Sequence, residues 1–456
     1  MNASGKTKVL DIGSRLELFV DRYLIDRLES AELKLHHPIR QDVSLQFDAP
    51  WEGTGSTYVT IMQVGDGYRM YYRGSENVGQ VACCAESEDA IHWTRPDLGL
   101  YEVAGTLKNN VVLDTGFGHV AHNFTPFFDP RPGIPPAERF KGVGSARRDG
   151  KPVLYGFISA DGYVWEPLRE EPIITDGAFD SQNLVYWDGY RGHYVAFYRQ
   201  FTDGKQLYHG TRIIKWATSP DFRTWTPGQE LDYGDAPLEH FYTNATVSYF
   251  RAPHIYLAFP KRFLPERKAV PEHPSPGVSD GVFMSSRDGL HWDRTFMEAF
   301  LRPGRERENW TQRSNMIAWG IVPTAPDEIS IYWTEHYCHP TDRLRRGTIR
   351  VDGFVSVNAG YEGGEMVTHP VQFSGSELVL NYATSAAGSV RVEIQDVDGR
   401  PIPGYTLEEC PEIYGDEIEA VVRWQGDASL AALLGQPVRL RMVLHDADIY
   451  SLKFRS

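Results

Sequence analysis

The 456-residue sequence predicts an all-β fold, with a five-bladed β-propeller followed by a C-terminal β-sandwich. Three observations carry this prediction. A short phrase that ends in tryptophan occurs four times along the chain. The 24 Tyr, 22 Phe and 11 Trp favour pleated strands. The 42 Gly and 29 Pro supply turns between many short strands.

The repeated phrase has serine at its first position, aspartate at its third and tryptophan at its seventh. Its copies occupy residues 87–93, 159–165, 219–225 and 286–292, so that the tryptophans are 72, 60 and 67 residues apart. This spacing is too long for a helical solenoid and fits four-stranded propeller blades with long loops. Because Ser and Asp cap tight turns and Trp covers the blade edge, the phrase counts blades without naming a chemistry.

Each repeat is interpreted as an inner strand, two middle strands and an outer strand. The first four blades are predicted at about residues 58–113, 122–174, 180–231 and 239–301. A fifth blade follows residue 308 and lacks the tryptophan turn, as terminal repeats often do. We expect residues 37–45 to supply its missing outer strand, since closure by both chain ends removes exposed sheet edges.

The predicted domains follow from a change in pattern after Gly363 and Gly364. Period-two alternation of apolar and polar residues in 378–382, 389–394 and 438–444 predicts a smaller antiparallel sandwich. The predicted boundaries are 1–35 for an N-terminal segment that packs between the domains, 36–362 for the catalytic propeller and 363–456 for the sandwich.

Charge and composition limit the partners. A net charge of −15 argues against nucleic acid, which needs a concentrated basic face. No apolar stretch predicts a signal peptide or a membrane-spanning helix, so we expect no membrane partner and a cytoplasmic location. The four cysteines predict neither a disulfide framework nor a zinc site, and the spacing of His336 and His339 does not put both on one strand face. No metal or cofactor is predicted, and homo-oligomerisation is left open.

The candidate site lies where the inner strands begin, because these strand starts crowd one mouth of a propeller channel. Four of the five blade-to-blade crossings carry a carboxylate. Read singly, an acidic residue before a strand is often a turn cap, but its recurrence in successive repeats favours a site. The polar residues at the crossings are Trp51, Glu52, His122, Asn123, Asp180, Gln182, Asn183, Glu239, His240, Tyr242, Asn244, Glu308, Gln312 and Arg313, with Glu335 one strand further out.

Carboxylates that converge on one pit favour glycoside hydrolysis. Their mutual repulsion and lost solvation raise the pKa of at least one carboxyl group and separate an acid from a base. One carboxyl group then protonates the leaving oxygen, and the other activates water or attacks the sugar. Amide, imidazole and guanidinium groups suit hydroxyl recognition, so the set predicts a carbohydrate substrate.

Five blades, the repeated phrase, the Trp51-Glu52 entry to blade one and the trailing sandwich resemble the five-bladed propeller glycosidases of glycoside hydrolase families 32 and 43. The resemblance covers nearly the whole chain and implies three catalytic acidic residues from different blades, which by position are Glu52, Asp180 and Glu239. Glu239 is the preferred general acid, with Glu52 or Asp180 as base or nucleophile. The remaining crossing residues are then substrate-binding. The Asn-Asp-Pro-Asn-Gly and Arg-Asp-Pro motifs of typical family 32 enzymes are missing, so fructan hydrolysis is not expected.

Two alternatives stay open beside a hydrolase that acts on a terminal sugar. A glycoside phosphorylase of similar architecture needs one carboxylic acid and a cluster of Arg, Lys or His to hold phosphate, for which the crossings offer Arg313 and His240. A non-catalytic carbohydrate-binding propeller needs neither.

Overall fold

A computed structural model describes residues 9–74, 79–203, 206–426 and 428–456 of the chain. The chain forms two compact units, one of Met1–His37 with Arg350–Ser456 and the other of Pro38–Ile349. Within the described residues, no helix is long and apolar enough to cross a membrane. Helical structure in this part of the chain consists of short 3₁₀ turns at Thr115–His122, Pro136–Glu138, Arg307–Asn309 and Leu430–Leu433.

Strands make up almost all of the regular structure, as the aromatic and turn-rich composition predicts. Within the described ranges they are β1 (Leu10–Gly13), β2 (Glu17–Leu18), β3 (Ile25–Glu29), β4 (Glu32–Leu35), β5 (Ile39–Gln46), β6 (Thr57–Val64), β7 (Gly67–Gly74), β8 (Val81–Ser87), β9 (Val111–Leu113), β10 (Thr125–Phe128), β11 (Phe140–Arg148), β12 (Lys151–Ser159), β13 (Glu166–Pro167), β14 (Leu184–Asp188), β15 (His193–Phe201), β16 (Arg212–Ser219), β17 (Gln229–Glu230), β18 (Val247–Tyr249), β19 (Ala252–Ala258), β20 (Lys261–Leu264), β21 (Val278–Gly281), β22 (Met284–Ser286), β23 (Trp292–Asp293), β24 (Met316–Ile317), β25 (Val322–Ala325), β26 (Glu328–Glu335), β27 (Arg343–Arg350), β28 (Val355–Ala359), β29 (Gly364–Thr368), β30 (Val371–Phe373), β31 (Glu377–Gln395), β32 (Asp416–Val421) and β33 (Arg439–Arg455).

The larger unit is a five-bladed propeller. Blades one to three are the four-stranded sheets β6-β7-β8-β9, β10-β11-β12-β13 and β14-β15-β16-β17. Blade four is β18-β19-β22-β23, with the hairpin β20-β21 inserted, and blade five is β24-β26-β27-β5. The strands within each blade pair antiparallel, and in blades one to three they follow one another in the chain, as the repeat predicted. The predicted all-β class and five-bladed propeller are confirmed.

The ring is closed by strand β5 from the beginning of the larger unit. It pairs antiparallel with β27, from Thr348 opposite Ile39 to Arg343 opposite Gln46. The expectation that residues 37–45 supply the outer strand of blade five is therefore correct. Near the centre, Ile61 N–H donates to the carbonyl of Trp319 at 2.8 Å, and Trp319 N–H donates to Val59 at 2.9 Å. Blade one thus pairs directly with blade five.

Each repeated phrase forms the same capped turn. In the second copy, Asp161 Oδ1 accepts the backbone N–H groups of Tyr163 and Val164 at 2.8 and 3.0 Å. The residue after the aspartate is left-handed in all four copies, with φ between 60° and 88°, and is a glycine in the second and fourth. The tryptophan indole donates back to the carbonyl of this residue in copies two to four. The phrase is structural, as its residue types predict.

The smaller unit is also all-β. Its eight-stranded sheet has the order β3-β29-β33-β28-β4, with β2, β31 and β32 joined to it, and β1 pairs in parallel with β30. Its apolar core includes Phe19, Leu380, Leu440 and Phe454, which are almost fully buried. The arrangement of these strands as a sandwich stays a prediction.

The unit boundary differs from the predicted position at residue 362. The larger unit ends at Ile349, and the strand β28 that follows pairs with β33 and β4 of the smaller unit. Strands β1 to β4 likewise pair with strands of the smaller unit. The packing of residues 1–35 between two domains stays a prediction.

Gly320 is required where blade five meets blade one. Its φ is +110°, and a Cβ added there would lie 1.9 Å from the carbonyl oxygen of Ile61. Backbone on the neighbouring inner strand cannot move aside without breaking the ring closure. We expect Gly320→Ala to lower the free energy of unfolding by about 3 kcal/mol or more, through steric overlap and an unfavourable φ.

Thermal and urea unfolding of the purified variant would measure this loss. Gly189→Ala is the matched control, because its added Cβ would meet no atom nearer than 3.7 Å and its backbone is not left-handed. Equal stability of the two variants would contradict the assigned contact between blades one and five.

Candidate functional site

The starts of the inner strands carry an unusual concentration of positive charge. We define the cationic mouth as Arg73, Arg199, Arg212, Lys261 and Arg313. Arg73 and Arg199 lie near the ends of the second strands β7 and β15. Because neighbouring strands are antiparallel, these ends meet the starts of the inner strands. Arg212 and Lys261 begin β16 and β20, and Arg313 lies in the crossing before β24.

Four of the five cations surround the ring of Tyr242. The distances from this ring centroid are 4.0 Å to Lys261 Nζ, 4.6 Å to Arg199 Cζ and 5.6 Å to both Arg212 Cζ and Arg313 Cζ. Arg199 also donates to the backbone carbonyl of Tyr242. An electron-rich ring face attracts cations, so the tyrosine holds together groups that repel one another.

This charge density changes the protonation of its members. Burial on its own would raise the pKa of the Tyr242 phenol, but the positive charges of Arg313 and Arg199 outweigh it and leave that pKa below its ordinary value. Burial lowers the pKa of Lys261 well below its ordinary value, and Arg313, Arg199 and Arg212 lower it further. The Lys261 side chain is fully buried, and its Nζ has no hydrogen-bond partner.

Arg73 extends the mouth toward blades one and two. Its guanidinium donates to Tyr337 Oη at 3.2 Å, and the same oxygen accepts from Arg313 Nη1 at 2.5 Å. It also lies 4.9 Å from the ring centroid of Tyr58 and 3.2 Å from His122 Nδ1. Burial first, and then the charge of Arg73, lower the pKa of His122 to about 2, so the imidazole is neutral at physiological pH.

Among the described residues, Asp180 is the carboxylate that forms an ion pair with the cationic mouth. Its Oδ1 lies 3.1 Å from Arg199 Nη1, and 30% of its side chain is exposed. His240 lies on the same side, where its Nδ1 accepts the backbone N–H of Arg212 at 3.2 Å. The mouth therefore offers one accessible carboxylate beside five cations.

The other two predicted catalytic residues are held in separate ion pairs. Glu52 is 1% exposed, accepts two hydrogen bonds from Arg95 at 2.8 Å and one from Tyr72 Oη at 2.5 Å. Glu239 pairs with Arg262 at 3.1 Å and with Arg294. Glu52, Asp180 and Glu239 share none of these partners, so the structure does not join them into one set. Their catalytic roles stay predictions, and the geometry favours Asp180 alone.

The asparagines predicted to bind substrate connect the blades instead. Asn123 Nδ2 donates to the carbonyls of Phe179 and Ser181 at 2.7 Å, and its Oδ1 accepts from Ser145. Asn183 bonds the same two carbonyls. Asn244, at the next crossing, donates to the Phe197 carbonyl. All three asparagines are at most 2% exposed. Buried amides that are already bonded have little capacity left for a sugar hydroxyl.

Gln182 is also buried, at 2% exposure, and bridges blade three to blade one. Its Nε2 donates to the Val59 carbonyl at 3.2 Å and to Thr60 Oγ1 at 3.1 Å. Trp51 is likewise buried, and its indole donates to Asn110 at 2.7 Å. These contacts use the amide nitrogen of Gln182 and the indole N–H of Trp51.

The remaining predicted residues divide between ion pairs and the rim. Glu335 is buried against Arg343, Arg345 and Arg40, at 2.9 to 3.1 Å, which occupies its carboxylate. Glu308 and Gln312 are half-buried in the crossing that leads to Arg313. Tyr242, His122, His240 and Arg313 are therefore the predicted binding residues that the structure brings together with Asp180.

One group of side chains has ligand atoms close enough for a metal ion. Glu306, Glu335 and His336 offer oxygen and nitrogen atoms within 4.8 Å of one another. Arg343 bonds both carboxylates, and Arg40 bonds both as well. Because two guanidinium groups already neutralise the carboxylates of Glu306 and Glu335, these side chains form an ion-pair network rather than a good cation site.

Sequence reasoning missed Arg73, Arg199, Arg212 and Lys261. The prediction followed the starts of the inner strands, whereas Arg73, Arg199 and Arg212 lie on the second and third strands of their blades and Lys261 lies on the inserted hairpin strand β20. A usable signal exists in the sequence, since the dipeptide Tyr-Arg occurs near the end of both second strands, at Tyr72-Arg73 in β7 and at Tyr198-Arg199 in β15. A charged residue that repeats at one blade position is informative in the same way as a repeated tryptophan.

A cavity lies at the ends of the inner strands that face away from the cationic mouth. It encloses about 290 Å³ and its lining includes Phe127, Tyr186, Trp187, Phe250 and Trp319. Trp187 and Trp319 are two tryptophans that would suit sugar stacking. They lie at the end of the strands away from the cationic mouth.

Comparisons with known proteins found weak similarity to solved structures. No protein-family model matches the chain, and no curated protein matches it. Among solved structures, one described as a glycoside hydrolase is 14% identical with a TM-score of 0.47 and covers 68% of this chain and 92% of its own. A family 43 arabinoxylan arabinofuranohydrolase from Bacillus subtilis in complex with cellotetraose is 11% identical with a TM-score of 0.43, over 92% and 99%.

A third solved structure comes from work on a family of mannoside phosphorylases that contains glycoside hydrolases targeting β-1,2 mannosidic linkages in Candida mannan. It is 13% identical with a TM-score of 0.37, over 73% of this chain and 96% of its own. All three similarities are weak. The five-bladed architecture is established by the strand pairing of this chain itself.

Replacement of Glu52 tests whether it is a structural residue. We expect Glu52→Gln to lower the free energy of unfolding by about 3 kcal/mol, because it removes the buried member of an ion pair and leaves Arg95 with the exposed Asp48 as its carboxylate partner. Asp180→Asn alters a carboxylate that is 30% exposed and keeps an amide oxygen that can accept from Arg199, so we expect it to lower the free energy of unfolding by less than Glu52→Gln does. Urea unfolding of both variants measures the difference. A silent Glu52→Gln together with a strongly destabilised Asp180→Asn would reverse the assignment.

Proposed function

We propose that this protein is a carbohydrate-active enzyme that cleaves a terminal glycosidic bond at the cationic mouth, with Asp180 as the catalytic carboxyl group. The observation that carries the proposal is the position of Asp180, which is partly exposed at the strand starts and oriented by Arg199. Glycosidic bond cleavage needs a carboxyl group that exchanges a proton with the bridging oxygen. Of the three carboxylates predicted to act, Asp180 is the one not enclosed by two ion-pair or hydrogen-bond partners.

We propose action on a terminal sugar because the propeller is closed beneath the strand starts. Gln182, Val59 and Thr60 are each at most 2% exposed and are joined across the propeller by hydrogen bonds. This floor would stop a sugar chain from threading through the propeller, which favours the end of an oligosaccharide over an internal position.

Hydroxyl recognition has candidates around Asp180. His122 is neutral at physiological pH and His240 has a lowered pKa through burial and the neighbouring Arg212. Neutral imidazoles both donate and accept hydrogen bonds, as sugar hydroxyls require. Gln312 adds an amide at the rim. These roles rest on the proposed reaction.

Phosphorolysis is the second candidate, and the cationic mouth favours it over hydrolysis. In an inverting phosphorylase, phosphate attacks the anomeric carbon directly, so that one carboxylic acid suffices and a second carboxylate is not needed. The mouth has this composition, with one accessible carboxylate and several cations. Hydrolysis would need a second carboxyl group at about 5 to 9.5 Å from the first, and Glu52 and Glu239 are engaged in ion pairs.

Turnover of a panel of aryl glycosides and natural oligosaccharides, each with and without phosphate, tests the proposal. We expect one sugar to be released and Asp180→Asn to lower kcat/KM by about 10² to 10⁴-fold, which is the usual contribution of a general acid or base. Glu166→Gln is the matched control, since it removes an exposed carboxylate from the outer strand β13 of blade two. We expect it to keep turnover within about threefold.

Unchanged turnover in Asp180→Asn would remove this residue from catalysis. If Glu239→Gln abolished turnover while remaining folded, the catalytic role would move to Glu239. A protein that binds glycans but turns over none of the panel, in wild type and variants alike, would instead be a non-catalytic binding propeller.

A further inference from the structure

The cationic mouth is uncompensated within the described part of the chain. Its five cations have Asp180 as their one ion-paired carboxylate there, although the whole chain carries a net charge of −15. Buried charges are usually paired, because their desolvation is otherwise expensive. An acidic protein that keeps its arginines unpaired at one place has a local field directed at anions.

Several donors in this region are buried and unused. Lys261 Nζ, Arg212 Nε and Arg313 Nε have no hydrogen-bond partner. Among these donors, Lys261 Nζ loses the most solvation, because its side chain is fully buried. The Nζ lies 4.0 Å from the centroid of the Tyr242 ring. Buried polar groups are nearly always bonded, and an exception in a native structure indicates a role.

We propose that Arg199, Arg212, Lys261 and Arg313 form a binding site for a tetrahedral oxyanion, phosphate or sulfate. The proposal deepens the proposed function by naming the substrate class, since the anion would be either the attacking phosphate or a phosphate or sulfate ester on the sugar. Binding of the anion itself needs no turnover and can be measured separately.

The chemistry of these side chains favours a multiply charged oxyanion. Guanidinium groups present forked N–H donors that match phosphate and sulfate oxygens, and the lysine ammonium adds a point charge. A carboxylate has two oxygens and one charge, which would leave most of the cations uncompensated. Nucleic acid is a poor match, because Arg199 and Lys261 are at most 2% exposed and cannot reach a polymer backbone.

Tyr242 and Asp180 define how the anion would be oriented. Tyr242 packs against all four cations and so keeps their polar groups around one point. Asp180 is bonded to Arg199, so an anion on the remaining donors lies near the carboxyl group. That geometry sets a negatively charged group beside the residue proposed to exchange a proton with the glycosidic oxygen.

Titration calorimetry of the 456-residue protein with inorganic phosphate and with inorganic sulfate tests the site, at constant ionic strength in chloride. We expect both anions to bind with one site, and acetate to bind at least about tenfold more weakly because it carries fewer oxygens and less charge. Absence of binding for both phosphate and sulfate at millimolar concentration would overturn the proposal.

Lys261→Met separates a ligand-binding role from a structural one. It removes a buried, unpartnered charge but keeps an unbranched side chain, so we expect the free protein to become more heat-stable. We expect the same variant to bind sulfate at least about tenfold more weakly. A structural lysine would instead give a less stable protein with unchanged anion affinity, which would contradict the proposal.

Lys151→Met is the matched control, because it removes one positive charge from an exposed position on β12. We expect its sulfate affinity to equal that of the wild type. Arg212→Gln provides a second test at a half-buried position, should Lys261→Met not fold, and we expect it also to weaken sulfate binding at least about tenfold. Unchanged sulfate affinity in Arg212→Gln would contradict the assigned donors.

The source of the anion is resolved by comparing inorganic sulfate with a sulfated methyl glycoside and inorganic phosphate with a sugar 1-phosphate. Tighter binding of the esters assigns the anion to the sugar, and equal or weaker binding assigns it to free phosphate. Phosphate-independent turnover of a neutral glycoside, without anion binding, would retain the proposed function and reject the anion site. Anion binding without turnover would retain the anion site and reject the proposed function.

Discussion

Closure of the ring by β5 is the interaction on which the rest of the larger unit depends. This strand comes from the beginning of the unit and completes the blade formed by its end, through pairing with β27. Closure brings blade five against blade one, where Ile61 and Trp319 bond and Gly320 leaves room for the Ile61 carbonyl. Only in a closed ring do five inner strands start around one point. The cationic mouth is a consequence of that convergence.

The convergence also brings charged side chains together, and these charges are not evenly paired. Most of the carboxylates predicted to act form ion pairs within or between blades, as Glu52 does with Arg95 and Glu335 with Arg343. The arginines and lysine at the strand starts are left with Tyr242 and one aspartate. Functional sites commonly retain such unfavourable contacts because the ligand supplies the missing partner. The unpaired positive charge of the cationic mouth is thus the physical reason for proposing a bound anion.

The sequence was sufficient to predict the blades, because their signals are local. Asp161 caps a turn within its own heptapeptide, and the outer strand of blade five follows from counting strands. It was also sufficient to predict that Asp180, Tyr242 and Arg313 lie close together, since all three come from the starts of inner strands, whereas their catalytic and binding roles stay predictions. The charge of the site was not predictable in this way. Glu52 is an attractive catalytic residue until Arg95, which is 43 residues away in the chain, is seen to enclose it.

The most direct test of the anion site is the anomalous diffraction of a crystal soaked in selenate, which has the shape and charge of sulfate. We expect a selenium peak in the cationic mouth, at a position that puts selenate oxygens within hydrogen-bonding distance of Lys261 Nζ and of the guanidinium groups of Arg212 and Arg313. Selenium found elsewhere on the surface, with this mouth empty, would contradict the proposed anion site.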